Sequence, residues 1–146
     1  MIAFLLLAIA AGVLLPVQAG VNAQIRTVLG SPVAAALISF LVGTAGLAVS
    51  VVLLRVPLPL ARAWAGTTPW QWTGGLIGAV YVLAAVVLAP KLGAGTLVAA
   101  VVAGQMLTSL LLDHYGLIGF SVHPLSSLRF LGAVLVIAGV ILIQRP

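Results

Sequence analysis

Five apolar runs, each about twenty residues long or longer, take up most of this chain and leave little sequence between them. A bilayer's hydrocarbon core takes roughly 20 helical residues to cross, and only hydrogen-bonded backbone can face lipid. The runs therefore read as membrane-spanning helices over about residues 2–29, 32–54, 70–89, 93–112 and 125–144. The expected fold is all-α: one polytopic transmembrane domain over residues 1–146. Composition leaves no other reading, because 64% of the residues are hydrophobic and 5% charged, against roughly 25% charged in soluble domains.

The separators carry helix-breaking chemistry: Gly30-Ser31-Pro32, the stretch from Arg55 to Pro69 with its prolines, Pro90-Lys91, and Asp113 to Pro124. Pro32 and Pro69 suit first-turn positions, where a missing N–H costs nothing, and Ser31 and Thr68 are placed to cap those helices. The first run is longer than a straight crossing needs, so it should tilt, kink at Pro16 or protrude. It lacks a positively charged start and continues past Pro16, so it reads as a retained span and not a cleaved signal.

The formal charge of +5 comes from scattered Arg and Lys against a single acid. It forms no basic patch, and nucleic acid is not an expected partner. Lys and Arg in short loops set membrane orientation, and here they balance. Arg55, Arg62 and Arg129 fall on the side of the N-terminus; Arg26, Lys91 and Arg145 fall on the other. A balanced count predicts dual topology, with copies inserted both ways. Trp64, Trp70, Trp72, Tyr115 and Phe120 all lie on the N-terminal side, as an interfacial aromatic belt does.

Small residues four apart let helices approach closely in lipid. Ser39 with Gly43, Gly46 with Ser50, and Gly74 with Gly78 are such pairs, and Gly132 and Gly139 share a stripe on the last span. These are read as packing faces, the last for a helix of a second copy. Polar groups inside spans say more, because they are costly there. Gln18, Asn22 and Arg26 run i, i+4, i+8 on the first span, with Gln24 on another face. Gln105, Ser109 and Asp113 repeat the spacing on the fourth, beside Thr108.

Two polar stripes in an apolar bundle suit a solute cavity, since each amide both donates and accepts. Gln18 and Gln105 fit equally well bonds between helices; for Asn22 and Ser109 the interhelical bond is the simpler reading. Arg26 and Asp113 lie near the surfaces, as gates or attractors of charged solutes. Asp113 beside His114 could in principle relay protons, though a hydrated helix end is the plainer reading, and His123 reads as loop. No cysteine, metal motif, phosphate loop or catalytic nucleophile motif is present, so neither an enzyme nor a cofactor or metal is expected.

Several stretches in order resemble a known family. They are Pro16-Val17-Gln18-Ala19-Gly20-Val21-Asn22-Ala23-Gln24, Ile38-Ser39-Phe40-Leu41-Val42-Gly43-Thr44, Gly74-Gly75-Leu76-Ile77-Gly78-Ala79, Ala103-Gly104-Gln105 and Asp113-His114-Tyr115-Gly116-Leu117-Ile118-Gly119. Together they are similar to the YdcZ-like family of short five-span proteins in the drug/metabolite transporter superfamily. The resemblance covers nearly the whole chain. It implies a bacterial inner-membrane protein and half of an inverted-repeat bundle, completed by an antiparallel second copy or a paired homologue. Small multidrug resistance proteins of that superfamily carry an acid in their first helix. This chain has only Gln18, Asn22 and Gln24 there, so a neutral, zwitterionic or anionic solute is easier to defend than a cation. The expected function is a small-molecule transporter subunit working by alternating access. The alternative is a non-transporting membrane subunit that packs against another membrane protein.

Overall fold

The computed structural model describes residues 1–145, which are helical with no strand among them. In chain order they form α1 (Ile2–Leu29), α2 (Pro32–Leu53), α3 (Leu60–Gly66), a 3-10 turn over Pro69–Thr73, α4 (Gly74–Tyr115), a second 3-10 turn over Leu117–Gly119, and α5 (Ser127–Ile143). Among the described residues, Ile2–Leu29, Pro32–Leu53 and Pro69–Tyr115 are long and apolar enough to cross a membrane; the apolar Ser127–Ile143 is shorter. α4 is interrupted at Gly93, whose φ of 75° and ψ of 161° are not helical. Its arms hold about 19 and 22 residues, or roughly 28 and 33 Å at 1.5 Å per residue.

Local chemistry accounts for most boundaries. Gly30 closes α1 in the left-handed conformation, with its N–H on the Arg26 carbonyl at 2.9 Å. Ser31 then caps α2, its Oγ accepting from the Ala34 N–H at 3.2 Å, and Pro32 follows as the first helical residue. α1 runs unbroken through Pro16. α2 ends in paired bonds from Arg55 N–H to Val52 O and Val56 N–H to Val51 O, a Schellman closure. The left-handed position there, normally glycine, is Arg55 at φ 50°. Thr68 starts the Pro69 turn, its N–H donating to Gln71 Oε1 at 2.7 Å.

The separator expected from Arg55 to Pro69 contains the short helix α3. Trp64 on α3 and Trp72 on the turn meet tilted at 52° with centroids 5.9 Å apart, and Trp72 Nε1 donates to Thr67 Oγ1 at 2.9 Å. Both rings sit on helical turns that frame a pocket of about 450 Å³ with Thr67 and Pro69. The 3-10 turn also moves the start of α4 to Gly74, against an expected start near residue 70. At the other end α4 continues to Tyr115, three residues beyond the expected end.

Packing falls into two units, Met1–Pro90 and Lys91–Pro146. In the first, α1 lies against α2. The core is Ala35, Ala36, Val82 and Val86, with Ile25, Tyr81 and Leu83 against it. Alanines at this crossing let backbones come close, which is how helices gain packing energy in lipid. Gly78 serves the same purpose: a Cβ there would meet the Phe40 ring at 3.6 Å.

In the second unit the later arm of α4 runs antiparallel to α5. Gly95 lies beside Ile143 at one end, and Asp113 pairs with Arg129 at the other. Gly116 (φ 61°), Ile118 (φ 56°) and Gly119 (φ 84°) turn the chain between them. Among the described residues only seven hydrophobic side chains are buried, too few for a core in water. The exposed apolar surface fits lipid or another membrane helix.

Candidate functional site

The polar stripe of α1 crosses three environments. Gln18 is exposed, Asn22 is 4% exposed and Arg26 is half-buried. Asn22 is the one buried polar residue described. Arg26 lies in the last turn of α1, where a cation complements the exposed carbonyls of the helix end. Its Nη1 donates to the Val86 carbonyl at 3.2 Å. That carbonyl is available because its helical partner would be residue 90, a proline without an N–H. Gln24, on another face, is exposed, and its carbonyl accepts from the Thr27 hydroxyl at 2.6 Å.

On the later arm of α4, Gln105, Thr108 and Ser109 are exposed and Asp113 is half-buried. Asp113 ends in a closed network. Its carboxylate takes Arg129 Nη2, the same guanidinium gives Nη1 to the His123 carbonyl at 2.7 Å, and the His123 N–H returns to the Asp113 carbonyl at 2.8 Å. His114 bonds elsewhere: its Nδ1 accepts the Leu125 N–H at 3.0 Å, which puts the neutral ring's proton on Nε2. Its ring meets Tyr115 edge-on at 4.6 Å. Asp113 and His114 thus hold the turn through different partners, and no bond joins them. Among the described residues no three His, Asp or Glu side chains gather as a metal site.

The family described as "Putative inner membrane exporter, YdcZ" matches residues 3–142. The chain belongs to this family. No curated protein and no solved structure matches it. As a YdcZ-family member the chain is a multi-pass inner-membrane protein with a general role in transport.

Beyond Gly78, the glycine faces of this YdcZ-family chain are open. A Cβ built at Gly43, Gly74, Gly132 or Gly139 meets nothing within 4 Å. Ser39 is half-buried. Ser50 turns its hydroxyl back to the Gly46 carbonyl at 2.8 Å. Sequence reasoning missed two partners. Arg129 counted only toward orientation, although it was the cation available to the sole acid across a short turn. The Val86 carbonyl carries no side-chain signal, but Pro90 four residues on marks it as unbonded.

Proposed function

We propose that this YdcZ-family chain is half of a small-molecule exporter: five spans that pair with a second copy in inverted orientation and pass a solute by alternating access. The spans are α1, α2, the two arms of α4 and α5. The observation that carries the reading is the exposure of Gln18 and Gln105 in the middle of apolar helices. An amide facing hydrocarbon costs several kcal/mol, so each needs a polar surface the single chain does not give it. A second copy supplies that surface, and Gln18, Asn22, Gln105 and Ser109 meet the solute. The open faces at Gly132 and Gly139 on α5 receive a helix of that copy.

The charge count supports the inverted pairing. Arg26 bonds the Val86 carbonyl and Arg129 pairs with Asp113, one on each side of the membrane in the five-span topology. Setting both aside leaves Arg55 and Arg62 against Lys91 and Arg145, still balanced. The test is solute flux by the purified protein in liposomes, with Gln18→Ala and Gln105→Ala beside the wild type. Loss of flux in both variants with retained folding supports the reading. Full flux in both removes these amides from the pathway.

A further inference from the structure

Among the described residues no acid pairs with Arg26. The chain has one acidic side chain, Asp113, and that carboxylate is taken by Arg129. Of the five N–H donors of the Arg26 guanidinium, one is used, on the neutral Val86 carbonyl. A half-buried guanidinium with donors left over is completed by a charged acceptor, whose hydrogen bonds are the stronger kind.

Asn22 gives a second, independent indication. It precedes Arg26 by four residues, on the same face of α1 and about 6 Å further from that helix end. It is 4% exposed, yet its amide makes no hydrogen bond to another described residue. No described side-chain polar atom is both enclosed and without a partner. The little surface Asn22 keeps is therefore at its amide, open to a ligand. A guanidinium and an amide N–H₂ on one stripe supply the donors an oxyanion needs.

We propose that Arg26 and Asn22 form a binding site for a small organic anion held through its carboxylate. The proposal rests on the exporter reading above and narrows its substrate class. A lipid phosphate has the same oxygen chemistry, but it is tethered at the interface: it can reach Arg26 in the last turn and not Asn22 a turn deeper. The site neutralises Arg26 only while the solute is bound.

The experiment is thermal unfolding of the full chain in phosphate-free maltoside detergent. Benzoate, succinate and inorganic phosphate are compared with choline and glucose at matched ionic strength, and phosphatidylglycerol forms a separate arm. At tenfold its Kd a carboxylate should raise Tm by roughly 3 °C, with no rise from choline or glucose. Arg26→Gln should abolish the rise, and Asn22→Ala should weaken apparent affinity about tenfold. Asn22→Asp places a built-in carboxylate one turn from Arg26 and should abolish the response in a protein that still folds. It decides the matter if Arg26→Gln does not fold.

No stabilisation by any small anion, an unchanged response in these variants, or stabilisation by phosphatidylglycerol alone would overturn the proposal. Flux in liposomes separates the two ideas. Flux of an uncharged solute without anion stabilisation leaves the exporter reading standing and removes this site. Arg26-dependent stabilisation without flux does the reverse.

Discussion

Arg26 and Val86 are joined by a hydrogen bond of 3.2 Å from a guanidinium to a main-chain carbonyl sixty residues away. Pro90 makes the bond possible by removing the N–H that would otherwise take that carbonyl. The two residues act as one device: the proline opens an acceptor in the first arm of α4, and the arginine closes it from α1. Arg26→Ala should cost about 1–2 kcal/mol, since it leaves the carbonyl unpaired. In a Pro90→Ala background the residue 90 N–H can take over, and the cost should fall by about half or more. A double-mutant cycle read by denaturant unfolding measures this coupling; additive costs would show that proline and arginine act separately.

The Asp113–Arg129 pair ties the later arm of α4 to α5, and Arg129 also holds the His123 carbonyl. Both side chains are partly exposed, so the pair's own electrostatic contribution is modest, about 1 kcal/mol or less. Arg129→Ala should cost more, about 1–2 kcal/mol, because the carbonyl is stranded as well. Asp113→Asn should cost less than Arg129→Ala. The ranking, measured by thermal unfolding in one detergent, checks whether the bond to His123 matters as the geometry says.

Gly116 combines two demands no other residue meets. Its φ is 61°, and a Cβ there would come within 2.6 Å of Val122 Cγ2. Gly116→Ala should destabilise by roughly 2 kcal/mol or more through strain and overlap together. Gly119→Ala, at φ 84° but in open space, should cost only the backbone term, about 1 kcal/mol. Comparing the two Tm values separates strain from crowding.

Arg55 invites the opposite change. It holds the left-handed position of the α2 closure at φ 50°, where glycine carries no penalty. Arg55→Gly should stabilise by about 0.5–1 kcal/mol. In the proposed five-span topology it also removes one of three cations on the N-terminal side, and should shift inserted copies toward placing that side outside.

The helices were legible because lipid permits so few alternatives. The first run matches α1 residue for residue, and the caps at Ser31 and Thr68 formed where Pro32 and Pro69 predicted them. α3 was not legible, because seven residues with Pro57, Pro59 and Pro69 nearby carry no helical period. Gln18 and Gln105 stand out in the sequence by their cost in a span, but spacing gives no partner for an amide. The partners of Asp113 and Arg26 depended on which turns bring distant residues together. Of these, only the Pro90 gap announced itself in one dimension.

The account stands on the pairing of inverted copies, and single-cysteine labelling tests this most directly. The chain has no cysteine, so Ser121→Cys in the exposed loop before α5 gives one reporter on an otherwise silent background. With a membrane-impermeant thiol reagent on intact spheroplasts, a substantial fraction, near half, should label from outside. The remainder should label only after permeabilisation. Labelling of all copies, or of none, before permeabilisation would fix one orientation and contradict the inverted pair.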